Sequence, residues 1–185
     1  DEFDYNGYPN GNWRPEIWNP GVVNNELQHY TNNLDNAYVS NGTLKIKAAA
    51  WNNPATGQNQ YYSARLNSTA SWTYGRFEAR MKLPGGWGTW PAFWLTGANS
   101  WPPESDIMEF KGSNVNWQNT YTGSWKNKTT TVSNPGNWHT YRVWMSKVSE
   151  TDISIHYYID NQWQAEHRAN FVNKPMWIIL NLQME

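Results

Sequence analysis

The chain has 185 residues, the size of one domain at about 100 to 200 residues each, and 16% of them are aromatic and only 16% charged. Fourteen Lys and Arg against fifteen Asp and Glu leave a net charge of -1, without the basic footprint that a phosphate backbone requires, so nucleic acid is not an expected partner. Cysteine is absent, which excludes disulfides, thiol nucleophiles and Cys-ligated zinc.

The opening Asp1-Glu2-Phe3-Asp4 has neither the basic nor the apolar region of a signal peptide. No apolar run approaches the roughly 18 residues of a membrane span, so a soluble chain, mature or trimmed and without a membrane partner, is expected. Further along, Val39 and then Leu44, Ile46 and Ala48 flank Asn41-Gly42, a dipeptide that tolerates the positive φ of a tight turn and predicts a hairpin. From Arg76 to Leu83, the apolar Phe77, Ala79, Met81 and Leu83 alternate with Arg76, Glu78, Arg80 and Lys82, the pattern of a half-buried strand. Tyr141 to Val148 is a further strand, and Ile153, Ile155, Tyr157 and Ile159 alternate with Ser154, His156 and Tyr158 in the next. The last predicted strand, Met176 to Met184, carries Met176, Ile178, Leu180, Leu182 and Met184 on one face. Its other face, with Trp177, Ile179, Asn181 and Gln183, mixes an aromatic with amides as a sugar cleft would. Turn clusters such as Asn52-Asn53-Pro54, Pro84-Gly85-Gly86 and Asn134-Pro135-Gly136 separate these segments. No window of about 11 residues holds a helical apolar stripe free of Pro or Gly. One all-β domain over residues 1–185, a sandwich or jelly roll with one sheet curved into a cleft, is therefore predicted.

The sharpest chemical feature is Pro102-Pro103-Glu104-Ser105-Asp106-Ile107-Met108-Glu109-Phe110. In a regular strand Glu104 and Asp106 share a face and Glu109 points away. One extra residue near Ile107-Met108, a β-bulge, would return Glu109 to that face. Retaining hydrolysis of a glycosidic bond uses two carboxyl groups about 5 to 5.5 Å apart, and two Glu side chains on a bulged strand can converge to that separation. Asp106 between them would raise the proton affinity of its neighbour. The competing reading is an acidic strand that simply faces solvent. Upstream lies Gly85-Gly86-Trp87-Gly88-Thr89-Trp90-Pro91-Ala92-Phe93-Trp94-Leu95. Phe93 and Leu95 read as core, whereas Trp90 and Trp94, alternating away from them, read as flat platforms for sugar rings.

Together with Asn24-Asn25-Glu26-Leu27-Gln28-His29-Tyr30-Thr31, Tyr62-Ser63-Ala64-Arg65-Leu66 and Trp72-Thr73-Tyr74-Gly75-Arg76-Phe77-Glu78-Ala79-Arg80, these motifs resemble glycoside hydrolase family 16 in its bulged, laminarinase-like branch. The resemblance implies a concanavalin-A-like jelly roll with an open concave cleft, acting endo on a β-linked polysaccharide with retention. It implies Glu104 as nucleophile, Glu109 as general acid/base and Asp106 as the assisting carboxylate. Asn25, Arg65, Trp90 and Trp94 would hold the sugar on the donor side, with Trp125 and Asn181 as further substrate-binding candidates. For Arg65 a structural ion pair is the alternative.

Two departures stand out. Ser124, in Tyr121-Thr122-Gly123-Ser124-Trp125, occupies the place of a His common in this branch, which weakens the implied β-1,3-glucan preference. Strand sequence that members carry at both ends is not found, so terminal strands are expected to be missing and the structural calcium of many members cannot be placed. No cofactor is required for the implied chemistry. His29, His139, His156 and His167 lack metal-ligand spacing, so no metal site is predicted. The expected substrate is a laminarin-like β-1,3-glucan. The alternatives are a mixed-linkage β-1,3-1,4-glucan, a β-galactan, or a non-catalytic β-glucan-binding module. A monomer is expected, and the substrate class implies that it is secreted or at the cell surface.

Overall fold

The structure, a computed structural model, describes all of residues 1–185. Its strands begin with β1 (Trp13–Pro15), β2 (Gln28–Tyr30), β3 (Ala37–Ser40), β4 (Thr43–Ile46), β5 (Ala49–Asn52) and β6 (Asn59–Ser63). There follow β7 (Arg65–Ser68), β8 (Gly75–Met81), β9 (Thr89–Gly97), β10 (Glu104–Glu109) and β11 (Val115–Tyr121). The chain ends with β12 (Trp125–Thr131), β13 (His139–Lys147), β14 (Ile153–Ile159), β15 (Gln162–Ala169) and β16 (Met176–Met184). No helix interrupts them, as the lack of a 3.6-residue apolar period predicts.

Period-2 patterning decides which face of each strand is buried. A seven-stranded sheet in the order β1-β7-β16-β9-β10-β11-β12 packs on a four-stranded sheet in the order β15-β14-β13-β8. Between them Leu66, Phe93, Leu95, Met108 and Leu180 of the first sheet meet Phe77, Val143, Met145, Ile153 and Ile155 of the second. Each such side chain contributes about 1.5 to 3 kcal/mol on full burial. The hairpin β3–β4 forms as predicted, with Ser40 opposite Thr43 and positive φ at both Asn41 (49°) and Gly42 (70°), the geometry of a two-residue primed turn. The strand predicted to run to Leu83 stops at Met81, because Leu83 donates its N–H to Pro135 O (3.1 Å) in a loop instead of to a ladder partner.

Residues directly opposite across antiparallel strands share a face, so the register fixes which side chains line the outer face of the large sheet. Asn181 lies opposite Arg65 on β7 and Ala92 on β9, and Ala92 lies opposite Glu109. Trp94 lies opposite Asp106, which lies opposite Asn119. Glu104 pairs with Tyr121, which pairs with Trp125. Leu66, Phe93, Leu95, Ser105 and Thr120 fall between these residues and face the core.

Candidate active site

The register of β10 against β9 slips between Asp106 and Met108, leaving Ile107 as the extra residue. This is the predicted bulge, and it has the predicted effect: Glu104, Asp106 and Glu109 open onto one face. A single nitrogen shows how close two of them lie, since Asn119 Nδ2 donates to both Asp106 Oδ2 (3.0 Å) and Glu109 Oε2 (2.9 Å). The outer Glu residues are each held by an indole. Trp90 Nε1 donates to Glu109 Oε1 (2.6 Å) and Trp101 Nε1 to Glu104 Oε2 (2.6 Å).

Trp101 is carried by a tight loop that only glycine at position 97 permits. The Gly97 N–H bonds Pro103 O at 2.9 Å, and a Cβ there would lie 2.0 Å from Ser100 O. The Trp101 ring stacks on Tyr121 (4.5 Å between centroids, 12° between planes), and Tyr121 leans on Trp125 (4.9 Å). Trp101 and Trp125 are each at least half exposed, so a continuous aromatic surface leads from Glu104 to the end of β12. Such surface suits the C–H faces of pyranose rings.

Charge is arranged unevenly in this pocket. Burial drives the Asp106 carboxyl well above its usual pKa, and the neighbouring Glu104 and Glu109 push the same way, against the Asn119 amide and the Lys111 ammonium. Burial also raises Glu104, opposed by the Trp101 N–H and reinforced by Glu109. Glu109 is raised by burial too, with Trp90, Lys111 and Asn119 pulling it back. Lys111 Nζ sits 3.3 Å above the Trp90 ring centroid, so one indole binds a cation on its face and a carboxylate at its edge. A carboxyl raised in this way holds its proton to higher pH than a free one, which suits a group that must act as an acid.

These shifts carry a stability consequence with a definite sign. A carboxyl whose pKa is raised on folding binds more protons in the folded chain, so stability declines as pH rises above the unfolded value of about 4. Glu104→Gln keeps an acceptor for Trp101 and removes one crowded charge. Its Tm at pH 7 should exceed that of the wild type, by about 2 to 4 °C for each kcal/mol relieved in a chain of this size. The gain should vanish near pH 3, where the carboxyl is protonated in both states. Calorimetry at the two pH values checks this, and an equal gain at both would refute it.

The remaining predicted residues fall into two groups. Arg65, Trp94 and Asn181 come together: Trp94 Nε1 donates to Asn181 Oδ1 (2.8 Å), and Asn181 Nδ2 donates to the Tyr30 hydroxyl (3.1 Å). The Arg65 guanidinium lies 4.2 Å from the Trp18 ring and 4.8 Å from the Trp94 ring, and it ion-pairs with Glu16. Arg65 thus has the structural partner foreseen for it, on the face that bears Trp94. Asn25 stands apart, exposed in a left-handed turn (φ 54°) with no side-chain bond to the carboxylate cluster. Ser124 makes no side-chain hydrogen bond to the carboxylates either. β11 ends at Tyr121 and Ser124 lies exposed in the turn beyond it, where its carbonyl accepts the Thr122 N–H (3.2 Å). The residue of that strand facing Asp106 and Glu109 is Asn119.

Asn119, Trp101 and the Glu16–Trp18–Tyr30 surround of Arg65 were missed from the sequence. Trp101 had a local signal, three residues before Glu104. Asn119 had none, because the pairing of β10 with β11 sets its role. No group of three or more His, Asp or Glu side chains is placed to hold a metal ion, and no step below passes through one.

Residues 21–184 match the profile described as Glycosyl hydrolases family 16. A β-glucanase of Rhodothermus marinus is 46% identical over 126 residues, covering 62% of this chain and 43% of that protein. A galactan endo-β-1,3-galactanase of Flammulina velutipes is 35% identical over 171 residues, 81% of this chain and 67% of that one. The chain therefore spans less than half the length of the Rhodothermus β-glucanase. Among solved structures, LamA from Z. galactanivorans in complex with laminaritriose and laminaritetraose superposes with a TM-score of 0.85 at 32% identity, covering 100% of this chain and 86% of that one. The laminarinase of Rhodothermus marinus gives 0.85 at 30% identity, with 100% and 84% covered.

Proposed function

The chain belongs to glycosyl hydrolases family 16, and on that premise we propose that it is an endo-acting, retaining hydrolase of a β-1,3-glucan of the laminarin type. One observation carries the reading: the bulge at Ile107 sets Glu104 and Glu109 on the same face, each tethered by an indole, with the Asn119 amide joining Glu109 to Asp106. A module that only binds sugar has no use for three carboxyl groups buried against one another at an electrostatic cost.

In this mechanism Glu109, protonated at rest, gives its proton to the glycosidic oxygen as the bond to the leaving sugar breaks. Glu104 attacks the anomeric carbon and forms a covalent glycosyl-enzyme. Glu109, now a carboxylate, takes a proton from water, which displaces Glu104 and restores the resting state. Asp106 shares the Asn119 amide with Glu109 and limits how far either can lose its proton. The open aromatic surface lets a polymer lie across the sheet, which favours internal cleavage. A polymer cannot enter a cell, which supports a secreted or cell-surface location.

Reducing-sugar release from laminarin, lichenan, agarose and xyloglucan tests the assignment, with laminarin expected to be cleaved fastest. The galactanase likeness extends over more of the chain than the β-glucanase likeness and supports a β-1,3-galactan as second substrate, so that polymer belongs in the same panel. Lichenan as the preferred substrate would indicate the mixed-linkage alternative.

A further inference from the structure

Beneath the carboxylates, on the core side of the large sheet, lies a polar cluster that the chemistry above does not use. Tyr157, on β14 of the opposite sheet, is fully buried. Its hydroxyl reaches across the core to Ser105 Oγ (2.6 Å), Thr120 Oγ1 (2.7 Å) and the Asn119 carbonyl (2.8 Å). Thr120 Oγ1 in turn lies 3.0 Å from His167 Nδ1.

Counting protons fixes every direction in this cluster. The Asn119 carbonyl can only accept, so the one phenolic proton goes there. The Ser105 and Thr120 hydroxyls must then both donate to the phenol oxygen. Thr120, its proton used, must accept from His167, which therefore carries hydrogen on Nδ1. Each hydroxyl is used, and the chain of donors runs one way, from His167 through Thr120 and Tyr157 into the Asn119 peptide.

The attachment points are what matter. Ser105 sits between Glu104 and Asp106 in the sequence. Asn119 bears the amide that bridges Asp106 and Glu109. One hydroxyl from the second sheet thus pins both strands that carry the carboxylates and their shared donor, at the level of the reacting groups.

We propose that Tyr157 is a positioning residue for catalysis, holding β11 against β10 so that the Asn119 amide stays bridged between Asp106 and Glu109. This rests on Glu104 and Glu109 being the acting pair. Tyr157→Phe keeps the ring in the core and removes only the hydroxyl. It should lower kcat about tenfold with KM within twofold of the wild type. The basic limb of the pH–rate profile should also move to higher pH, because the Asn119 amide pulls Glu109 down and an amide held less firmly does so less, so the acid keeps its proton further up the pH scale. A hydroxyl that merely stabilises the fold would lower Tm and leave kcat and both limbs in place, and that result would overturn the proposal. Ser105→Ala and Thr120→Val each remove one bond to the phenol and should move the basic limb the same way to a smaller extent. Unmoved limbs in both would overturn it even if Tyr157→Phe did not fold. A wild type inactive on every β-linked polymer would instead defeat the assignment of the acting pair.

Discussion

Glu104→Gln and Glu109→Gln are each expected to lower kcat on a β-1,3-glucan by about 10²- to 10⁴-fold or more, the range for losing a group that moves a proton or forms the covalent intermediate. The change removes charge or the transferable proton with almost no change in volume, so circular dichroism should show an unaltered fold. The two variants should differ with a substrate whose leaving group needs no protonation, such as a dinitrophenyl glycoside. Glu109→Gln keeps its nucleophile and should still release the phenol in a burst, whereas Glu104→Gln should not. Activity within tenfold of the wild type for either variant would remove it from the mechanism.

Asn119→Leu should produce the next largest loss. Its amide nitrogen is the donor shared by Asp106 Oδ2 and Glu109 Oε2, and Asp106 is nearly inaccessible to water, at 6% exposure. Deprived of that donor, a buried acceptor costs about 1 to 3 kcal/mol, more if charged. If the transition state bears the whole cost, kcat falls about 5- to 150-fold, at 1.36 kcal/mol per tenfold. The loss should appear in kcat rather than KM, because the amide touches the carboxyl groups and not the sugar. Steady-state kinetics on laminarin checks this, and wild-type kcat would show that the bridge is incidental.

Much of this site was legible in the sequence because its logic is local. Strand parity alone separates Glu109 from Glu104 and Asp106, and the chemistry of paired carboxyl groups demands their reunion, so the bulge could be placed at Ile107-Met108 from spacing. Parity likewise sent Trp90 and Trp94 to the face opposite Phe93, where the structure has them. The remainder was hidden because it depends on which strand lies beside which. Asn119 and Tyr157 are 13 and 51 residues from Asp106 in the sequence, and nothing in a single strand's pattern says that one bridges two carboxyl groups or that the other reaches Ser105 and the Asn119 carbonyl through the core. Ser124 shows the opposite error. Matching by motif set it in the place of a strand His, yet β11 ends at Tyr121, before Ser124 is reached.

The most direct measurement is the anomeric configuration of the first product, followed by proton NMR before mutarotation. If Glu104 attacks directly from about 5 to 5.5 Å across the scissile bond from Glu109, configuration is retained and the β-anomer appears first, with the α-anomer growing in only as the free sugar equilibrates. An α-anomer as first product would mean that water attacks between carboxyl groups about 6.5 to 9.5 Å apart, and it would contradict both the role of the bulge and the assignment of Glu104 as nucleophile.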